Sequence, residues 1–377
     1  MNIGKIIGKN INELMNENNI SQRKLAEIIN VTHPTIGKYV TGEQVIDSEK
    51  LMAVAGYFKV SFDYFFMEEH KGLDLLFRAD KPNDNMSATD LNEINKKFEQ
   101  YIDIVDLGRM KYVPQSCALK LEENKLNEED EKSIEKIAME MRRIFNIQDF
   151  IPNNYFETIQ KSGINVIATD FSNKAFFGAS SYSPNEGSFI FINTNKDIPE
   201  ERQVFTMIHE LGHLLFHRNE YKEVKYNPLY KSGRTDINEK VANKFAGYFL
   251  LPECLVKEYI ESKNNDVNMT EMKQYFKVSL QSLYMALYNY KLISKNQYND
   301  FWKKLQSNHL MTVEPNPLPN LSIEEKNYRL ISSMKKLYAD DEITVNRISE
   351  VLELDLNKTR DIVKKWGASI DQYEKLG

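Results

Sequence analysis

The run Val204-Phe205-Thr206-Met207-Ile208-His209-Glu210-Leu211-Gly212-His213-Leu214-Leu215-Phe216-His217 constrains this chain more than any other stretch. In a helix, residues four apart lie one turn above each other, so His209 and His213 project the same way and offer two imidazoles to one ion. Glu210 lies next to that face, placed to hold a water rather than the ion itself. Val204, Ile208, Leu211 and Leu215 fill the other side, and Gly212 leaves room for another backbone to pack close. The fold must therefore bury one flank of this helix and bring a further ligand to the other. The bland alternative is a solvated helix with incidental histidines, although three of the chain's six His fall in this one run.

A catalytic zinc takes three protein ligands and keeps one position open. Glu239 is the best third ligand. It begins a second predicted helix, about 237–250, in which Ala242 and Ala246 form a small-residue face suited to close packing. His217 is the alternative, but it is rotated about 80° from His209 around the helix axis, and one straight helix does not wrap three ligands around an ion. Asn243 shares a face with Glu239 and can hold a ligand imidazole through its second nitrogen; simple surface exposure is its bland reading. In this reading Glu210 accepts a proton from water and passes it to a leaving amine. The oxyanion needs a further donor, and Tyr226, Tyr230, Arg234 and His217 all stand near in sequence without a basis for choosing among them.

At 377 residues the chain is too long for one small core, and two to three domains are expected. Hydrophobic content of 41% and charged content of 28% describe an ordinary globular protein, and the net charge of -6 argues against nonspecific coating of nucleic acid. Two cysteines, Cys117 and Cys254, make no disulfide scaffold and fit a reducing cytoplasm. The first ten residues lack a long apolar stretch and no segment approaches 18 apolar residues, so neither export nor a membrane span is expected.

Residues 3–66 read as short helices. Ser21 is a good N-cap for Gln22–Ile29, Asn30-Val31 form a tight turn, Thr32 caps a third helix from His33 to Val40, and Ser48 opens a fourth. A helix, a short turn and a second helix make a helix-turn-helix. The stretch resembles the lambda-repressor-like (Xre-type) DNA-binding domain in Ser21-Gln22, Leu25-Ala26, Val31-Thr32, Ile36 with Tyr39, Gly42, and Leu51 through Val60-Ser61-Phe62-Asp63. The resemblance implies that the third helix enters the major groove, with Thr32, His33, Thr35 and Lys38 on base edges or phosphates and Gln22 at the backbone. Residues 1–70 carry 7 Lys+Arg against 9 Asp+Glu, a weak basic footprint. The competing reading keeps the fold for dimerisation or protein contact.

Lys81 to Ser87 is a polar linker containing Pro82, and Thr89-Asp90 cap a helix to about Val105. Ile134, Ile137, Ala138, Met141 and Ile144 mark another helix. Strands follow at Ile164–Ala168, Ala175–Tyr182 and Ser188–Asn193, with a turn at Pro184–Gly187. The expected order is helix, small antiparallel sheet, then the histidine helix, with an edge strand able to hold an extended peptide. Helices continue to about 306, Pro315–Pro319 reads as a rigid linker, and residues 321–367 are helical again. The fold class is α+β: an all-α helix-turn-helix domain (1–70), a linker and helical connector (71–120), a zincin-like domain (121–310) and a small helical module (320–377).

The block from about 130 to 300 resembles the ImmA/IrrE family of metallopeptidases. The matching motifs are Phe205–His217, then Glu239-Lys240-Val241-Ala242-Asn243-Lys244-Phe245-Ala246, then Leu250-Leu251-Pro252. The family is similar to gluzincins, which implies His209, His213 and Glu239 as zinc ligands and Glu210 as catalyst. It also implies a partner repressor of the lambda-repressor-like class as substrate, cut to regulate mobile-element or stress genes. The expected partners are thus a DNA operator, a protein substrate and a second copy of the chain in a homodimer, with no membrane. The rival function is a transcription regulator whose peptidase fold serves as sensor or scaffold without proteolysis.

Overall fold

A computed structural model of the protein describes residues 3–18, 20–58, 60, 62–66, 88–105, 125–171, 173–183, 187–218, 235–307, 314 and 316–374. The chain divides into two compact units, Met1–Asp74 with Asn85–Gln100, and Leu75–Asp84 with Tyr101–Gly377.

The first unit holds helices α1 (Ile3–Glu17), α2 (Gln22–Ile28), α3 (His33–Thr41) and α4 (Ser48–Phe58), followed by a 3-10 turn at Phe62–Phe66. Their apolar stripes meet in one core that includes Ile11, Leu14, Leu25, Ile36, Tyr39, Leu51, Val54, Phe58 and Phe65. Buried Asn10 ties the final turn to α1 by donating to Phe65 O at 3.1 Å and Tyr64 O at 3.2 Å. Ser21 caps α2 as expected, its Oγ accepting from Lys24 N. Two caps differ. The Thr32 hydroxyl bonds the Thr35 hydroxyl at 2.8 Å and makes no capping bond to a backbone N–H of α3. At α4 the acceptor is Asp47, one residue before Ser48, which takes the Lys50 N–H at 2.9 Å. In both places a nearby side chain outcompetes the local bond that propensity favours.

Helix α5 (Ala88–Ile104) follows. In the second unit the elements are α6 (Glu128–Ile144), α7 (Tyr155–Lys161), β1 (Asn165–Thr169), β2 (Gly178–Ser183), β3 (Gly187–Asn193), α8 (Glu200–Phe216) and α9 (Thr235–Leu250). Helix α6 starts with a capping box between Asn127 and Asp130, which sets four acidic residues in its first turn where the helix dipole favours them. The three strands form one sheet in the order β1-β3-β2. The sheet is mixed, not antiparallel as expected: β3 pairs antiparallel with β2 but parallel with β1. Strand β3, the last of the three in sequence, thus lies between β1 and β2. Alternation within a strand records which face is buried but not which neighbour the strand takes, so the sequence is silent on this choice.

Both β1 and β3 are buried along their whole length. Ile190 and Ile192 join the core with Val204, Met207, Ile208 and Leu211 of α8. Phe189 meets Tyr101 edge-on at 6.0 Å, and the Tyr101 hydroxyl reaches Asn165 Oδ1 at 3.3 Å. Beyond α9 come α10 (Glu253–Ser262), α11 (Met269–Phe276), α12 (Leu280–Asn289), α13 (Lys295–Ser307), α14 (Ile323–Lys326), α15 (Tyr328–Ala339), α16 (Val345–Leu352) and α17 (Leu356–Glu374).

Residues 316–329, read from the sequence as a linker and the start of a separate module, run along the first turn of α8 and the edge of β1. Leu318 N donates to Glu201 Oε2 at 3.2 Å, and Leu321 N to Glu200 Oε2 at 3.3 Å. Lys326 pairs with Glu200 at 2.6 Å and donates to Gln203 Oε1 at 2.7 Å. The Asn327 amide bonds both backbone groups of Ala168, accepting its N–H at 3.0 Å and donating to its C=O at 2.9 Å. One side chain thus does for the β1 edge what a neighbouring strand would do, leaving two buried backbone groups satisfied.

Candidate metal centre

Helix α8 carries the histidines because its apolar stripe must face the sheet, which leaves His209 and His213 aimed along the neighbouring flank. Gly212 sets how near α9 comes: a Cβ there would lie 3.2 Å from the Ala242 Cα and 3.2 Å from Phe245 Cδ1. That close approach delivers Glu239. Its Oε2 stands 3.2 Å from His209 Nε2, and its Oε1 stands 3.4 Å from His213 Nε2. The two imidazole Nε2 atoms are 3.0 Å apart. Ligands bonded tetrahedrally to zinc at about 2.1 Å lie about 3.4 Å from one another, so these separations fit a shared small cation. The chemistry of the set agrees, since two imidazole nitrogens and a carboxylate converge as electron-pair donors in a buried place. His209 is 2% exposed and His213 1%.

Burial on its own would raise the Glu239 carboxyl, but the hydrogen bonds with His209 and His213 outweigh it and hold the group well below the usual carboxylate range. Glu239 therefore stays ionised, the state that suits a metal ligand. Glu210 also has a ligand atom within 4.8 Å of those of His209 and His213. Its Oε2, however, accepts a 2.6 Å hydrogen bond from the Ser180 hydroxyl. Glu239 thus has one oxygen near each imidazole, and Glu210 stands beside them as an anchored carboxylate.

Asn243 Oδ1 lies 3.0 Å from His209 Nδ1, on the outer side of that ring. His217 is buried, and its Nδ1 is 2.9 Å from His213 Nδ1. It therefore sits on the Nδ1 side of His213, away from the convergence of Nε2 atoms. Tyr226, Tyr230 and Arg234 lie outside the described residues.

Ser180 is the site residue that sequence reasoning missed. It lies on β2 and reaches Glu210 because strand and helix approach very closely, a Cβ on Gly178 falling 2.6 Å from Thr206 Cγ2 of α8. A serine in a strand carries no signal of its own, although the Gly178-Ala179-Ser180-Ser181 run of small residues hints at a tight neighbour.

In the first unit Thr32, His33 and Lys38 are exposed, while Gln22 and Thr35 are half-buried. Ile36 and Tyr39 of the same helix face the core. The expected DNA-facing residues are thus the ones the core leaves at or near the surface of α3 and the start of α2.

Residues 159–288 match the Peptidase_M78 family model, described as the IrrE N-terminal-like domain. This part of the chain is thus similar to the IrrE N-terminal-like domain, a metallopeptidase-type family. Residues 11–65 match a helix-turn-helix model, which lies N-terminal to that match and supports DNA binding. None of the curated proteins matches the chain. The peptidase match spans β1 to α12 and with it the histidines, Glu210, Ser180, Glu239 and Asn243, while the strap at 316–329 falls outside it. Among the described residues, no helix is long and apolar enough to cross a membrane.

Proposed function

We propose that this protein is a zinc-dependent endopeptidase of gluzincin type that regulates transcription by cutting a lambda-repressor-like protein. The observation that carries the reading is the convergence of His209, His213 and Glu239 with Glu210 at their side. A zinc ion held by those three residues supplies Lewis acidity toward a scissile carbonyl and lowers the pKa of water. Glu210 takes the proton of the attacking water and returns it to the leaving amine nitrogen, acting as general base and then general acid. Ser180 fixes the Glu210 rotamer through Oε2, and Asn243 fixes the ring of His209. Strand β2 lies at the edge of the sheet beside Glu210, and an extended substrate pairs there by strand addition.

In this reading residues 1–70 form the DNA-binding domain and 121–310 the peptidase domain. The α3 face of Thr32, His33, Thr35 and Lys38, with Gln22, contacts an operator. A helix-turn-helix in the same chain favours a regulator over bulk protein as the substrate.

The test compares wild type with Glu210→Gln for bound zinc and for cleavage of lambda-repressor-like proteins encoded beside it. Both proteins should bind zinc and only wild type should cut. If both bind zinc and wild type cuts neither a repressor nor itself, the peptidase reading fails and the sensor or scaffold reading takes its place. On the DNA side, Thr35→Ala with Lys38→Ala should abolish footprinting at the chain's own promoter; unchanged footprints would refute the α3 assignment.

A further inference from the structure

The three imidazoles of α8 form a row. His209 and His213 have ring centres 4.7 Å apart, and His213 and His217 have ring centres 5.0 Å apart. The first two point Nε2 toward Glu239. The last two face each other through Nδ1, at 2.9 Å. We propose that His217 is a positioning residue: its Nδ1 accepts the Nδ1–H of His213 and so fixes the tautomer and ring angle that aim His213 Nε2 at the metal. This rests on the ligand set of the proposed function.

The argument follows from what a ligand histidine requires. A neutral imidazole carries one N–H, and binding through Nε2 places that hydrogen on Nδ1. His213 is 1% exposed, and a buried N–H without an acceptor is costly. His217 Nδ1 is the acceptor in place, which puts the hydrogen of His217 on its own Nε2. The other ligand follows the same rule with a different partner, since His209 Nδ1 meets Asn243 Oδ1 at 3.0 Å. Each ligand ring is thereby held from behind by a neutral acceptor, one from α9 and one from the end of α8 itself.

The helix end makes this possible. His217 is the C-cap of α8, with φ −118° and ψ 3°, and its backbone N–H still bonds His213 O at 2.9 Å. Residues four apart on a helix are neighbours, and leaving helical geometry at this residue turns its ring back onto that of His213. In this proposal His217 takes neither of the two roles weighed from sequence. A ring engaged through Nδ1 at the back of His213 does not reach the front of it, either as a ligand of the same ion or as a donor to an oxyanion there.

The full-length protein is titrated with zinc against a competing chelator, for wild type, His217→Leu, His217→Asn and His209→Ala. Leucine keeps apolar volume without an acceptor; asparagine sets Oδ1 close to where Nδ1 stood. His217→Leu should weaken zinc binding about 10–100-fold, and His217→Asn should stay within about threefold of wild type. Visible absorption of the cobalt-loaded proteins should change for the leucine variant and be preserved for asparagine. Circular dichroism of the metal-free proteins checks that each is folded, and His217→Ala replaces leucine if that variant is not. Unaltered zinc affinity in His217→Leu, or equal losses in the leucine and asparagine variants, would overturn the role. If His209→Ala binds zinc as tightly as wild type, the ligand assignment itself falls and takes this role with it. Loss in His209→Ala with no loss in His217→Leu removes the His217 role alone.

Discussion

Replacing Gly178 by alanine tests the contact that brings strand β2 to α8. The new Cβ would lie 2.6 Å from Thr206 Cγ2 and 2.8 Å from the Phe191 carbonyl oxygen. Carbon atoms in contact prefer about 3.5–4.0 Å, so strand and helix must part by roughly 1 Å. Overpacking of this kind costs about 1–3 kcal/mol. For a unit of this size that is a fall of roughly 3–9 °C in the unfolding midpoint. Ser180 is two residues along the same strand and would be drawn off its bond to Glu210. Removing Thr206 Cγ2 with Thr206→Ala should restore part of the loss, because the two substitutions share a contact; a coupling of about 0.5–1.5 kcal/mol is expected. The Phe191 clash is with backbone and should keep the rescue incomplete. Zinc content should not change, since the three proposed ligands lie on α8 and α9. Thermal unfolding followed by circular dichroism reads the stability, and metal analysis reads the zinc. A Gly178→Ala protein within about 0.5 kcal/mol of wild type, the range of ordinary surface changes, would show that the close approach does not constrain the site.

Three further predictions concern partners far apart in sequence. Ser180→Ala should lower peptidase turnover with zinc content unchanged, and Ser180→Thr should recover part of it; turnover equal to wild type in the alanine variant would remove the anchor role. Buried Lys273 bridges Glu201 at 2.8 Å and Glu314 at 3.1 Å, so Lys273→Met should destabilise the protein by about 3–5 kcal/mol, and adding Glu201→Gln should return part of that in chemical unfolding. Asn327→Ala strips both partners from the buried Ala168 peptide groups and should cost about 2–4 kcal/mol; hydrogen exchange at the Ala168 amide should accelerate, and unchanged protection would refute the edge-capping role.

The strap at 316–329 bears on how the peptidase unit is bounded. Its contacts fall on Glu200, Glu201 and Gln203, three buried polar residues in the first turn of the helix that carries His209 and His213. Without the strap those side chains would be buried with fewer partners, which is costly. The Pro-rich stretch that reads as a linker is therefore held to α8 by the backbone hydrogen bonds of Leu318 and Leu321.

What the sequence by itself determined was carried by period and spacing within single elements. His209 and His213 share a helical face, Glu239 and Asn243 share another, and the small residues facing Gly212 mark where the two helices meet. The helix-turn-helix was legible for the same reason, as stripes of Ile, Leu and Val between cap and turn residues. Each of these facts is local, because a helix fixes the relative direction of residues three and four apart whatever surrounds it. Tertiary structure alone decided the rest. The parallel pairing of β1 with β3, the grip of Ser180 on Glu210 across 30 residues, the Asn327 amide on β1 across 159 residues, and the turn of the His217 ring toward Nδ1 of His213 depend on which surfaces meet. Such meetings are set by packing between distant segments and by the need to satisfy buried polar groups, and a serine, an asparagine or a third histidine bears no mark in sequence of the partner that packing assigns it.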